Sequence, residues 1–172
     1  TCYPSLDFSI KYKTREDLGF NQDQTIYCCL QASFKISEFM EDVFKYIVNI
    51  GENSIILLSI AFSPFSQDQL NRILTKITQK NINKIRFFNT LGLYEYMNLV
   101  NISDIVLDTY PFGGCNSSLE AFHLNKPITT FDRPTESDLK TASFLAFQEL
   151  RKQHKLSASC VNDIIQAVKK IS

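Results

Sequence analysis

Short apolar runs alternate with longer amphipathic stretches along the chain. Five apolar runs predict strands, at 25–30, 54–62, 84–88, 104–108 and 127–131. The run at 54–62, SIILLSIAF, is continuous and rich in β-branched residues, which is typical of a strand buried on both faces.

Apolar residues at helical spacing predict six helices, at 36–50, 66–80, 93–101, 117–124, 137–152 and 160–171. Ser66 is the expected N-cap of the second helix. Strand–helix alternation repeated five times predicts a parallel sheet covered by helices, an α/β domain of the doubly wound, Rossmann-like class. Ligands of such sheets bind at the carboxyl ends of the strands, so the loops there are the first place to look for function.

The chain is interpreted as one domain over residues 1–172, a length that suits a single core. Residues 1–24 are polar and irregular, and we expect them to pack on this domain as a lead-in segment. Because the first residue is Thr1 and not Met, we expect the chain to be a fragment of a longer protein.

Composition narrows the class of protein. Hydrophobic residues make up 44% of the chain and charged residues 21%, as in a globular protein. Eighteen basic residues balance eighteen acidic ones, which argues against a nucleic-acid partner held by a bulk basic field, although a local patch stays open. No apolar run approaches the ~18 residues of a membrane span, and no signal peptide is visible.

The cysteines and histidines do not form a metal motif. None of the five cysteines forms a C-x-x-C pair, and the chain has two histidines, so a zinc site is poorly supported. Cys28 and Cys29 lie in an apolar run and are expected to be small, reduced core residues, which fits a cytoplasmic protein. His123, inside a helical pattern, and His154, in a charged stretch, do not resemble a positioned catalytic base.

Two adjacent glycines stand where the fourth predicted strand gives way to a helix. Gly113 and Gly114 would let a ligand approach the backbone at the ligand-binding edge of the sheet. The N–H groups at the start of the following helix favour an anion there. The alternative is an ordinary turn in which Asn116 or Ser117 caps the helix. The pattern matches neither of the common glycine-rich nucleotide motifs.

The residues after the glycines suit a phosphate with an attached ribose. Asn116, Ser117 and Ser118 offer small side-chain donors, and Glu120, expected in the first helical turn, is placed to accept two hydroxyls of a sugar.

A second loop, LQASFKISEF at 30–39, also follows a strand and precedes a helix. Gln31 and Lys35 would lie there on the same edge of the sheet, where the lysine can neutralise a phosphate. The alternative is a solvated lysine at a helix start, although a cation in the first helical turn opposes the helix dipole.

These stretches resemble a known family. YEYMNLVNISDIVLDTYPFGGCNSSLEAFHLNKPITT, at 94–130, resembles the donor-binding half of GT-B glycosyltransferases, above all the O-GlcNAc transferase and SPINDLY-like enzymes. REDLGFNQDQTIYCCLQASFK, at 15–35, resembles a segment that lies upstream in that family. The likeness covers roughly residues 15–150 and implies the C-terminal half of a GT-B fold.

The resemblance implies roles for individual residues. Gln31 and Lys35 would contact the diphosphate of a nucleotide sugar, Glu120 the ribose, and Tyr96 would lie in the segment that lines the base pocket. The helix start would hold the phosphates through Gly114, Asn116, Ser117 and Ser118. The family works without a metal ion or another cofactor, so the phosphate charge would be met by the lysine and the helix N-termini.

Some positions depart from the family pattern. Asn125 stands where the family has a glycine, although asparagine tolerates the left-handed conformation well. Asn116 and Ser117 replace a pair of threonines, and Phe112 excludes the E-x7-E pattern of another GT-B group. These changes bear on the identity of the donor more than on the fold.

The resemblance predicts a nucleotide-sugar-binding domain of an inverting glycosyltransferase. The donor would be a UDP-sugar, with guanine left open as the base, and the acceptor a protein or a glycan. The acceptor site and the catalytic base are expected on an N-terminal half of the parent protein, so the isolated domain would be inactive. The alternatives are a non-catalytic binding module and another GT-B enzyme such as a UDP-sugar epimerase. Arg133, Glu136 and Ser137 would lie near the donor sugar.

Overall fold

The computed structural model describes residues 11–60, 64–114 and 116–129, and its centre is a parallel five-stranded sheet. The strands are β1 (Thr25–Cys29), β2 (Ser54–Ser59), β3 (Ile85–Phe88), β4 (Ile105–Leu107) and β5 (Ile128–Thr129). Their order is β3-β2-β1-β4-β5, and every neighbouring pair is parallel. The chain thus winds outward in both directions from the centre, which confirms the predicted doubly wound, Rossmann-like fold.

Helices connect the strands and cover both faces of the sheet. They are α1 (Glu38–Ile50), α2 (Pro64–Lys76), α3 (Leu93–Ile102) and α4 (Asn116–His123), with short 3-10 helices at Glu16–Leu18, Ser33–Lys35 and Gln79–Lys84. Side chains alternate between the two faces of a strand. Tyr27 and Cys29 of β1 accordingly pack in the cluster that includes α1 and α2, whereas Ile26 and Cys28 pack toward residues of α3 and α4.

The strand β2 is buried on both faces, as its sequence predicts. Ile56 and Leu58 pack with the residues of α1 and α2, and Ile55 and Leu57 pack on the opposite face with Leu99 of α3. Cys28 and Cys29 are also buried, and both are free thiols, which confirms their assignment to the core.

Arg15 attaches the described part of the lead-in segment to the amino-terminal edge of the sheet. Its guanidinium donates to the carbonyl oxygens of Gln24 at 2.9 Å and Ile102 at 3.1 Å. It also pairs with Asp104 at 2.6 Å, and the other carboxylate oxygen of Asp104 accepts the Ile26 N–H at 2.7 Å. This edge lies opposite the carboxyl ends of the strands. That the single domain extends over all of residues 1–172 stays a prediction.

The second helix differs from its prediction at both ends. It begins at Pro64, so Ser66 lies inside the helix and is not its N-cap. Proline is favoured at the first helical position because its fixed φ suits the helix and because the N–H group that it lacks would have no acceptor within the helix there. The helix ends at Lys76 rather than residue 80, because Thr78 is extended and a 3-10 helix follows.

Asn125 takes the left-handed conformation expected at this position, with φ 54°, just after α4 ends. Several predicted elements lie outside the described residues: the helices at 137–152 and 160–171, and the part of the last strand beyond Thr129. Within the ranges described, every helix is too short or too polar to cross a membrane.

Candidate functional site

Two loops meet at the carboxyl ends of β1 and β4, the adjacent strands at which the winding direction reverses. The first loop carries Gln31 and Lys35, and the second runs from Asp108 to the start of α4. The Gln31 side-chain amide donates to Ser117 Oγ at 2.6 Å and joins the loops. Crevices at such a reversal point are where sheets of this class bind ligands.

The ammonium of Lys35 is held between the two loops. Its Nζ lies 3.2 Å from Gln31 Oε1, 3.3 Å from the carbonyl oxygen of Gly113, and 5.0 Å from the centre of the Phe112 ring. Two carbonyl oxygens and an aromatic face are attractive partners for a cation. The lysine is therefore positioned and not simply solvated.

Lys35 does not lie in the first turn of a helix, contrary to the expectation from the sequence. It ends the 3-10 helix Ser33–Lys35, and α1 begins at Glu38. The Lys35 ammonium therefore does not oppose the dipole of α1 from within its first turn. Its position is explained instead by the contacts to Gln31 and Gly113.

The two glycines are required by the close approach of the loops. A Cβ on Gly114 would collide with Ser117 Oγ and lie 2.9 Å from Gln31 Nε2. A Cβ on Gly113 would lie 2.9 Å from a carboxylate oxygen of Asp108. Neither glycine has a positive φ, so space and not backbone conformation explains them.

The Asp108 carboxylate fixes the loop that contains Gly113 and Gly114. It is buried and accepts the N–H groups of Gly114 at 2.6 Å and Thr109 at 3.0 Å. The Thr109 hydroxyl donates to the carbonyl oxygen of Phe112 at 2.7 Å. The Gly114 N–H is therefore already used within the loop, and Gly114 contributes open space rather than a donor for an anion.

Asp108 lies in the segment 94–130 that resembles the glycosyltransferase family, but no role was predicted for it. An acidic residue that ends a buried strand directly before a glycine pair was the available signal. A carboxylate there can accept the N–H groups of the turn that follows.

The start of α4 offers the remaining donors. The first N–H groups of an α-helix have no acceptor within the helix, and the dipole favours an anion at this end. Asn116 is exposed and Ser117 half-buried, whereas Ser118 is buried and donates its hydroxyl to the carbonyl oxygen of Gly114 at 3.1 Å. Asn116 and Ser117 are thus the accessible side chains of this helix start.

Glu120 lies in the second turn of α4 and not in the first, because the helix already begins at Asn116. It is half-buried. Tyr96, in the first half of α3, packs against the cluster that contains Ala121, the residue next to Glu120. The structure therefore places Tyr96 and Glu120 on two helices that contact each other.

Other candidate residues are less informative. His123 is the last residue of α4, and Arg133, Glu136, Ser137 and His154 lie outside the described residues. Burial raises the pKa of Cys28 to about 12, which keeps this thiol protonated and unreactive. The described residues contain no group of His, Cys, Asp and Glu side chains that could hold a metal ion.

Comparisons with known proteins identify the fold. No family model and no curated protein matches the chain. Among solved structures, a mutant O-GlcNAc transferase from Thermobaculum terrenum matches with 20% identity and a TM-score of 0.64, over 83% of this chain and 27% of that protein. WaaG, a glycosyltransferase involved in lipopolysaccharide biosynthesis, matches with 12% identity and a TM-score of 0.63, over 91% of this chain and 40% of that protein.

An enzyme of another class shares the fold. The UDP-GlcNAc 2-epimerase of Neisseria meningitidis, in a structure bound to UDP-GlcNAc, matches with 14% identity and a TM-score of 0.59, over 91% of this chain and 38% of that protein. The chain thus spans less than half the length of these proteins. At such identities the likeness shows the fold alone, which is the Rossmann-like α/β domain of GT-B proteins.

Proposed function

We propose that this chain is the donor-binding domain of an inverting glycosyltransferase that uses a UDP-sugar and transfers the sugar to a protein or a glycan. The observation that carries the proposal is the convergence of Lys35, Gln31 and Ser117 at the reversal point of the sheet. Two loops far apart in sequence here present a cation and a helix N-terminus to the same space.

The chemistry of these groups suits a diphosphate. A nucleotide-sugar diphosphate carries negative charge, and more develops on it as the sugar leaves. Preorganised donors and a cation at that point stabilise the leaving group. In this proposal Lys35 supplies the cation, and α4 supplies the backbone N–H groups and the side chains of Asn116 and Ser117. No metal ion is then needed to balance the charge.

The remaining roles follow from position. Glu120 would accept the ribose hydroxyls, and Tyr96, beside the same helix, would border the base. Ser118 would contribute by stabilising the loop, because its hydroxyl already donates to the carbonyl oxygen of Gly114. Catalysis requires a base and an acceptor site, and we place both on a further domain of a longer protein. The proteins of similar fold are two to four times as long as this chain's matched part.

Uracil is the preferred base because two proteins of similar fold are bound to uridine nucleotides. Anabaena Alr3699/HepE, with 15% identity and a TM-score of 0.56, is in complex with UDP and glucose, and the Neisseria meningitidis epimerase is bound to UDP-GlcNAc. The second of these is an epimerase, so a UDP-sugar epimerase is the second candidate function. A binding module without transferase activity would present the same donor site.

Calorimetry and thermal shift with UDP, GDP, ADP and UDP-GlcNAc test the proposal. A nucleotide at 100 times its Kd should stabilise the fold by about 2.7 kcal/mol. We expect selective binding of UDP and UDP-GlcNAc, lost in Lys35→Ala and Glu120→Ala and retained in Lys45→Ala, which changes an exposed lysine of α1. Absence of binding by all four nucleotides, also in the longer protein, would overturn it. Formation of UDP together with a glycosylated acceptor by that protein would indicate transfer, whereas conversion of UDP-GlcNAc into a product with the sugar inverted at C2 would indicate epimerisation.

A further inference from the structure

The orientation of the Gln31 amide follows from its neighbours. A lysine ammonium can only donate hydrogen bonds, so the amide atom 3.2 Å from Lys35 Nζ must be the oxygen. The amide nitrogen then faces Ser117 Oγ at 2.6 Å and donates to it. Each end of the amide therefore has a defined role, one as acceptor and one as donor.

This orientation fixes the proton of the Ser117 hydroxyl. A serine hydroxyl has one proton to donate and two lone pairs to accept. Because one lone pair accepts from Gln31, the proton is directed away from the amide. Ser117 lies at the start of α4, where the backbone N–H groups also point toward an incoming anion.

We propose that Gln31 is a positioning residue that acts through Ser117 and Lys35: its amide holds the serine hydroxyl as a donor, and the lysine ammonium beside it, toward one anionic ligand group. This inference rests on the proposed function, and it names how the diphosphate is recognised. Gln31 itself would not be the main ligand, because its side chain is engaged at both ends and the residue is only 7% exposed.

The loop geometry supports this assignment. The absence of a side chain at Gly114 is what allows Gln31 and Ser117 to meet, since a Cβ there would contact both. Asp108 in turn holds Gly114 through its N–H at 2.6 Å. Gln31 and Ser117 are thus kept in contact by a loop that Asp108 holds in place.

Gln31→Glu tests the direction of the hydrogen bond. An ionised carboxylate of the same shape can only accept, so Ser117 would have to donate its proton to Glu and would be lost as a donor to the ligand. The substitution also adds a negative charge, which weakens binding of a diphosphate whatever Ser117 does. The charge effect is the same in a Ser117→Ala background, whereas the loss of the donor is not.

The experiment is a double-mutant cycle on UDP affinity, measured by calorimetry on the full chain with wild type, Gln31→Glu, Ser117→Ala and the double variant. We expect Gln31→Glu to weaken binding roughly tenfold more when Ser117 is present than in the Ser117→Ala background, since a hydrogen bond to a charged group contributes about that factor. Denaturation midpoints show that each variant is folded.

Gln31→Met provides a second, uncharged arm should the glutamate variant fail to fold. It removes both amide contacts at similar size, and its loss of affinity should again be larger with Ser117 than in the Ser117→Ala background. If the double variant loses UDP affinity by the product of the two single-variant factors, Gln31 does not act through Ser117. That result, in a chain that binds UDP, would overturn the positioning role and leave the proposed function intact. A wild-type chain and longer protein that bind no nucleotide would overturn both.

Discussion

Asp108 and Gly114 form the contact on which the candidate site depends: the buried carboxylate accepts the glycine N–H at 2.6 Å, six residues further along the chain. The same oxygen accepts the N–H of Thr109. A negative group thus closes the turn beneath a site that is proposed to bind an anion. The first N–H groups of α4 have no acceptor within the helix and can bind a ligand there.

Substitutions of Asp108 should separate the acceptor from the charge. Asp108→Ala leaves the N–H groups of Thr109, which is buried, and Gly114, which is half-buried, without their acceptor and should lower the free energy of unfolding by about 3 kcal/mol. Asp108→Asn keeps an oxygen in the same place and should lower it by about 1 kcal/mol. Urea denaturation measures both. Equal losses in the two variants would show that these hydrogen bonds do not stabilise the loop.

Gly114→Ala should disturb both stability and ligand binding. The added Cβ overlaps Ser117 Oγ and approaches Gln31 Nε2, so the loops must separate, at a cost of about 1–3 kcal/mol. UDP affinity should fall as well, because the two side chains no longer meet. Denaturation and calorimetry measure the two effects.

Gly92→Ala is the matched control for this substitution. A Cβ on Gly92 has an ordinary contact of 3.6 Å with Glu95, and its φ of −68° suits alanine. Gly92 is the N-cap of α3, where alanine is less favoured than glycine, so we expect a loss within about 1 kcal/mol and normal binding. A Gly114→Ala variant as stable as Gly92→Ala would contradict the tight approach of the loops.

The strands and their two-sided burial could be predicted from the sequence because the signal is local. Residues 55–58 of β2 are all apolar and all buried, a pattern typical of a strand covered on both sides. The ends of the helices were harder to predict than the strands. Pro64 starts α2 two residues before Ser66, and both residues are plausible helix starts, so local preference could not decide between them.

The site could be predicted only in part. That Gln31, Lys35 and Ser117 would share one edge of the sheet follows from strand–helix alternation, since all three follow strands. The strand order, which places β1 beside β4, depends on contacts across some 80 residues that no local pattern contains. The Gln31–Ser117 hydrogen bond depends on that order and so was not predicted. The contacts of Asp108 lie within one loop, and an acidic residue shortly before a glycine pair was a local signal from which they could have been predicted.

Substitution of Arg15 should lower the stability of the fold without lowering its affinity for UDP. Its guanidinium joins the lead-in segment to Asp104 and to three backbone carbonyls, those of Gln22, Gln24 and Ile102, at the amino-terminal edge, opposite the candidate site. Arg15→Ala should lower the free energy of unfolding by about 2 kcal/mol, and Arg15→Lys should recover little, because one ammonium cannot reproduce the fork of contacts. UDP affinity, measured below the melting transition, should stay within about twofold. A parallel loss of affinity would contradict the separation of the two edges.

Alkaline pH should destabilise the fold through Tyr27 and Cys28. Burial raises the pKa of Cys28 to about 12, and burial together with the nearby Asp104 carboxylate raises the pKa of Tyr27 to about 12. Both groups are neutral when protonated, and the unfolded chain releases these protons at lower pH than the folded one does. Their stabilisation is therefore complete below the unfolded values, 9.0 for the thiol and 10.0 for the phenol, and is lost as pH rises toward about 12.

Urea denaturation from about pH 8 to about pH 11 measures this loss, which approaches about 1.4 kcal/mol per pH unit for each group once the unfolded form is ionised. Cys28→Ala removes one of the buried titrating groups, on the α3 and α4 face, so its stability should fall less steeply with pH even though its value at neutral pH is lower. The comparison of slopes, and not of absolute stabilities, isolates the thiol from the cavity that the substitution leaves. An identical slope in wild type and Cys28→Ala would show that the thiol ionises in the folded protein as easily as in the unfolded chain, contrary to its burial in this core.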